Sequence, residues 1–515
     1  MMTQPLPCCQ YLPDESNRKL TRFGGLPLFI DMAIKSGLTG KIAKTLNTKS
    51  QGWNDLQIIL SLMLLNIAGG DCVDDIERLE QDAGFATVIQ SLATHGMTRK
   101  ERRAFEMRWR KGKERALPSP SVLRRYLEQF HNAEEEEKRI IGKAFIPADN
   151  IELASLKELN TVLIHFLQNQ LFSEVATIDQ DATLSATNKK SALFCYKNFK
   201  SYQPLNTYWS EHGVLLRSEF RDGNVPAGFE QLREFQNALA VLPIGVKKVN
   251  LRSDSAGYQK ELLKYCAEGE NERFGVIEFA ISIKVTEEFK KAVAEVNENH
   301  WHPIYKNGPK NTLIKTEQEW AEINFVTNWS SYKKSNPNYR YLAVREKMVD
   351  QQELDLGDSQ PEQKELPFQT IDVTGGKYKL HGIVTNRKIS GNDLINWHRE
   401  RCGASEKVHS VIKSELAGGQ FPSKYFGANA AWWQIMLIAF NLNILMKKLV
   451  LPEALQKKAL KGLRFHLINL PGLVIYHARK LFIKLGGGIE VFDFVSSISK
   501  KIMVLGYGPP RPLRT

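Results

Sequence analysis

The chain has 515 residues, 42% hydrophobic and 25% charged, a balance that supplies a folded core and excludes a disordered chain. That length implies about two to four domains. The formal net charge of +13 points to a polyanionic partner, either nucleic acid or an anionic membrane.

Residues 1–150 read as helical. "WNDLQIILSLMLLNIAGG" carries apolar residues at helical spacing and stops at Gly69-Gly70, and "PSPSVLRRYLEQF" opens with loop and cap residues before Val122, Tyr126, Leu127 and Phe130. Short helices with basic connectors, above all the run Arg99–Arg115, are compatible with a helix-turn-helix-like DNA-binding module. From about 170 the period changes to two. "EVATIDQDATL" reads as a strand, "TYWSEHGVLLRSEFRDGN" as two strands around His212-Gly213, and "KKVNLRSDSAGY" as a strand running into a turn before the helical "YQKELLKYCAEG". This is the pattern of a mixed α/β sheet, spanning about 170–275. Residues 276–390 are β-rich, with "GVIEFAISIKV", "YRYLAVREK" and "YKLHGIVTN" as strands and the polar stretch Asp350–Glu365 as an exposed loop. Residues 391–448 return to helix, capped by Asn392 or Asp393 and interrupted at Gly418-Gly419. The most apolar stretch, Ala428–Met446, is broken by Asn429, Gln434, Asn441 and Asn443, which fits a buried helix better than a membrane span. Residues 449–515 read as a basic helical tail. From Asn441 onward there are 13 Lys or Arg against 3 acids, which favours a phosphate backbone as partner.

Several chemistries find no support. The six cysteines form no CxxC pair, which speaks against a zinc ribbon or disulfide framework and fits a reducing cytoplasm. No HExxH, GxxxxGK[ST] or GxSxG motif occurs, so zinc proteolysis, a nucleotide cofactor and a serine nucleophile are not indicated. The first residues lack an apolar core of signal-peptide length.

Carboxylates carry the remaining signal. Asp179 and Asp181 lie two apart on one strand and so share a face. Asp254 closes another strand, where an acid can bind a hard cation at a sheet edge. On the helical stretch after 391, Arg399, Cys402, Glu406, His409 and Lys413 form a polar stripe beside the apolar stripe Val408, Val411, Ile412 and Leu416. Its plain reading is a solvated salt-bridge face; its functional reading is a metal-binding carboxylate with a cation beside it for a phosphate.

Three blocks, "TIDQDATL…YKNFKSYQPLNTYWSEHGVLLRSEFRDGNVPAG", "LRSDSAGYQKELLKYC" and "NWHRERCGASEKVHSVIKSELAGGQFPSKYFGANAAWWQIMLIAFNLN", together resemble the DDE transposases of bacterial insertion sequences, nearest to the thirteen-eighty group. The resemblance implies an RNase H-like mixed-sheet catalytic core with a β-rich insertion, flanked by N-terminal and C-terminal helical regions. It implies Asp181, Asp254 and Glu406 as catalytic and metal-binding acids, 73 and 152 residues apart, with Asp181 preferred to Asp179 because Ala182-Thr183 follow it. The related signature Tyr-x2-Arg-x3-Glu-x6-Lys is kept from Glu406 to Lys413; upstream, Trp397 and Arg401 stand in, with one extra residue before the Glu. Lys413, Arg401, Trp397 and Arg252 are the expected DNA contacts. Two Mg²⁺ (or Mn²⁺) ions are the implied cofactor. The implied partners are the element's double-stranded inverted terminal repeats and target DNA, engaged by a homodimer or larger assembly in the bacterial cytoplasm at the nucleoid, with no membrane. An RNase H-like nuclease without strand transfer and a non-catalytic DNA-binding relic are the rival readings.

Overall fold

The computed structural model describes residues 18–49, 51–94, 97–101, 103, 115–140, 142–308, 312–327, 329, 339–348, 370–373, 376–477 and 480–506. Its centre is a ten-stranded sheet built from β1 (Val175–Ala182), β2 (Leu205–Trp209), β3 (Val214–Glu219), β4 (Lys248–Ser253), β5 (Glu278–Ile283), β6 (His302–Asn307), β7 (Leu313–Ile323), β8 (Arg340–Lys347), β9 (Thr370–Val373) and β10 (Gly376–Thr385). The order is β3-β2-β1-β4-β5-β10-β8-β7-β6, with β9 on β10. β4 runs parallel to both β1 and β5, whereas β2 and β3 are antiparallel to their neighbours. This half is the RNase H-like core.

The other half extends the same sheet. β10 pairs antiparallel with β5, and β8, β7 and β6 follow antiparallel. The strand Glu278–Ile283 therefore belongs to the core, so the insertion expected at 276–390 begins after it. The loop expected at Asp350–Glu365 lies outside the described residues.

Helices cover both faces. Successive strand residues point to opposite sides. Gln180 meets Gln231 on the helix Gln231–Ala240, while Asp179 and Asp181 point to the helix Gly391–Ser410, hereafter the site helix. The helix Phe426–Leu449 is buried along almost its whole length. Two of its amides are spent inside the protein: Asn441 donates to Leu215 O (2.8 Å) and accepts from Leu215 N (3.0 Å) on β3, and Asn429 donates to Ser423 O (3.1 Å). Buried amides with internal partners cost little, and so this apolar stretch is core. Among the described residues no single helix is long and apolar enough to cross a membrane.

Apart from the short strand Leu20–Thr21, the regular elements described in residues 1–150 are helices, and they do not stand apart. The helix Asp55–Ala68, closed by a reciprocal Asn54–Gln57 cap, packs on Phe426–Leu449, and its side chains join one continuous core with the sheet. Most of the basic run Arg99–Arg115 lies outside the described residues.

The C-terminal tail departs from the helical expectation. Strands Gly472–His477 and Lys480–Leu485 pair antiparallel, and Leu20–Thr21 adds a third strand, before a final helix Gly488–Val504. The cause is local: Lys480 to Leu485 alternates exposed and half-buried residues, the period of a strand covered on one face.

Candidate catalytic site

The candidate catalytic edge is made by strand register. β1 and β4 are parallel neighbours, with Asp179 opposite Arg252 and Gln180 opposite Ser253. One step further, Asp181 and Asp254 emerge side by side where both strands end. Asp254 is held by the turn that follows: its Oδ1 accepts from Ala256 N at 3.0 Å, capping the short helical turn Ser255–Gly257. Burial pushes the Asp181 carboxyl up to about 6; the charges of Asp254 and Asp179 add to this, and Arg401 opposes it. A buried carboxyl with a second carboxylate beside it at a sheet edge is a ready ligand set for a hard cation.

Asp179 shares that face but is already engaged. Arg252 forks onto it, Nε to Oδ1 at 2.6 Å and Nη2 to Oδ2 at 2.9 Å. The same guanidinium donates to Trp397 O (2.7 Å), Glu400 Oε2 (3.0 Å) and Ser210 Oγ (3.1 Å). Arg252 is 1% exposed, so the expected DNA contact at this position is corrected: it is an internal strut joining β1, β4, the turn after β2 and the site helix. Its partner Asp179 lies 73 residues away, invisible to local spacing. The Trp397 ring is half-buried between the guanidiniums of Arg252 (5.2 Å) and Arg387 (4.1 Å).

The site helix is capped by Ser390, whose Oγ accepts from Asp393 N at 3.1 Å, rather than by Asn392 or Asp393. Asn392 is used elsewhere, accepting from Tyr305 N at 2.8 Å. The helix runs through Gly403 and passes into a π-helical turn, Val411–Glu415. Such turns rotate the side chains that follow and recur at functional sites. Here the turn carries Lys413, which donates to Leu184 O at 3.2 Å just past β1 and interacts with Asp181. Arg401, mostly buried, places Nη1 3.6 Å from Asp181 Oδ2.

His398 escaped the sequence reading. It is buried three residues before Arg401 on the same helix, and its Nε2 donates to Ser253 O at 3.2 Å, bracing the strand end that carries Asp254. Burial first, then the charge of Arg401, pushes it down to about 3. His409 is pushed down to about 4 by burial, with Lys413 and Arg401 adding to it. Both are neutral, which keeps additional positive charge away from the carboxyl pair.

The structure thus brings Asp181, Asp254, Arg401 and Lys413 to one edge. Glu406 is exposed on the site helix. It lies five residues past Arg401, roughly 140° around the helix. Among the described residues no three His, Cys, Asp or Glu side chains are gathered closely enough to hold a metal ion.

On the far flank of the site helix, a half-open cavity of about 670 Å³ is lined by Lys407, Lys447, Lys448 and Lys457, with Glu400 as its acid.

No curated protein matches the chain. Among solved structures it is similar to a piggyBac transposase, seen by cryo-EM in a synaptic complex with hairpin DNA, at 9% identity, 94% of this chain and 80% of that one, and a TM-score of 0.35. The family model described as Transposase DDE domain group 1 matches residues 14–506. With that match spanning nearly the whole length, the chain belongs to the DDE transposases of domain group 1.

Proposed function

We propose that the chain cuts DNA at the inverted terminal repeats of an insertion sequence and joins the freed 3′-hydroxyl ends to target DNA. One observation carries this reading: Asp181 and Asp254 stand side by side at the ends of parallel strands, with Arg401 and Lys413 beside them.

Each group has a part. Asp181 and Asp254 would hold the divalent cation, Mg²⁺ or Mn²⁺. Glu406 would complete the set through a turn of the site helix about its π-helical end. Bound cations stabilise the attacking and leaving oxygens of a phosphodiester. Arg401 keeps Asp181 ionised in the neutral range. Its Nε is buried without a hydrogen-bond partner. Lys413 sits at the same edge to hold a phosphate oxygen, and Arg252 fixes the site helix against the strands. Double-stranded DNA is the partner in this reading, bound as paired ends by a dimer or larger assembly in the bacterial cytoplasm.

A strand-transfer assay tests it. Two labelled terminal ends are incubated with a supercoiled target and Mg²⁺. Joined products are expected. Cleavage with no joined product under any pairing of ends would instead favour the nuclease reading.

A further inference from the structure

Residues 183–204, between β1 and β2, contain four lysines and no acid, together with Phe194, Tyr196, Phe199 and Tyr202. This segment is an ordered hairpin. Thr183 N donates to Pro204 O (3.0 Å), Ser185 and Ala186 pair with Tyr202 and Ser201, and Phe194 bridges to Lys200. The tip closes through Cys195 N to Phe199 O (2.9 Å) and Asn198 N to Cys195 O (3.0 Å), with Asn198 at φ 61°. Its side is tied down as well: Arg139 Nη2 donates to Ser191 O (2.8 Å), and Ser191 Oγ to Lys424 O.

On this fixed frame two rings face solvent. Phe194 is 61% and Tyr196 74% exposed, while Cys195 between them is buried. Phe194 sits at the bridge to Lys200, and Tyr196 sits in the turn that Asn198 N closes onto Cys195 O, so both rings stand exposed at the hairpin tip. Each has an ammonium over it: Lys200 Nζ lies 5.9 Å from the Phe194 centroid and Lys197 Nζ 5.7 Å from that of Tyr196. Holding large aromatic surface in water is unfavourable, and rigid exposed rings set among cations match a nucleic-acid strand, whose bases stack and whose phosphates neutralise. Lys413, at the catalytic edge, donates to Leu184 O at the root of this hairpin. From Asn206, opposite Asp181, to Lys200 is six residues, at most roughly 20 Å of extended chain or about six base steps.

We propose that Phe194 and Tyr196 form a stacking platform for unpaired bases near the cut DNA end, with Lys189, Lys190, Lys197 and Lys200 on its phosphates. The inference rests on DNA being the substrate. It adds that the chain recognises a locally opened strand, not only a duplex.

Fluorescence anisotropy with a labelled dT20 strand and a 20-base-pair duplex tests it on the full chain. The double variant Phe194→Ala/Tyr196→Ala should bind dT20 about tenfold more weakly or worse, while duplex binding changes by less than about twofold. Phe194→Trp should retain dT20 binding and show quenching of the added fluorescence. Lys197→Ala/Lys200→Ala should weaken both ligands and flatten the salt dependence. Unchanged dT20 binding in the ring variant, or equal loss on both ligands, overturns the platform; melting curves confirm that the variants fold. A chain that binds dT20 through the rings yet cuts no terminal end upholds the platform while removing the transposition reading.

Discussion

Arg401 bridges the site helix to the catalytic edge, its Nη1 3.6 Å from Asp181 Oδ2. That single ion pair makes the helix position and the charge of the carboxyl pair depend on each other. Removing that cation takes away the main opposing charge on an acid that burial raises to about 6, and leaves Lys413 as the other cation beside it. In Arg401→Met, Asp181 should therefore titrate at a higher pH than in the parent chain. Carbon-13 NMR of the labelled Asp carboxyls checks this, and an unchanged titration would separate Arg401 from Asp181.

Arg252 and Asp179 make a different prediction, one of stability. Breaking a buried pair from one side leaves an uncompensated charge. Arg252→Met should destabilise the fold by about 3–5 kcal/mol in urea unfolding. Asp179→Asn/Arg252→Met together should cost less than the two single losses summed, because the partners act as a pair.

The buried imidazole of His398 sets a pH dependence. The unfolded chain binds a proton on this His below about 6.5, whereas the folded chain refuses it until about 3. Folding stability from the neutral ring is thus full above 6.5 and is lost as the pH falls from there towards 3. Asp181 works in the opposite sense: with its folded value raised to about 6 from 3.8, it adds stability as the pH falls through that window. His398→Gln should lower the slope of unfolding free energy against pH by one proton, about 1.4 kcal/mol per pH unit between 4 and 6. Asp181→Asn should raise it.

Lys413 is expected to contact one phosphate near the cut. Lys413→Ala should lower the slope of log affinity against log salt by about 0.9 for duplex DNA. Exchanging Arg252 for Met should leave that slope unchanged, since its guanidinium is enclosed.

Much of this arrangement was legible in the residues. Two-residue alternation marked β1, the β2–β3 hairpin and β4, and parallel pairing then placed Asp181 beside Asp254. What escaped was set by distant partners. Asn392 and Asp393 both read as caps for the site helix, but Asn392 is engaged by Tyr305, far away in sequence, and Ser390 serves as the cap. Arg252 reads as one more cation near an acid until Asp179 encloses it. The Lys- and Leu-rich tail reads as helix although Lys480 to Leu485 alternates with period two, because its strand state depends on pairing with Gly472–His477, which in turn pairs with Leu20–Thr21.

The central claim is that Asp181, Asp254 and Glu406 act on one cation pocket when DNA is bound. Replacing Mg²⁺ by Fe²⁺ in the DNA complex and adding ascorbate and peroxide makes the metal cut the polypeptide beside its ligands. The account predicts backbone scission near all three positions, abolished by Mg²⁺ competition. Scission near Asp181 and Asp254 with none around Glu406 would contradict it.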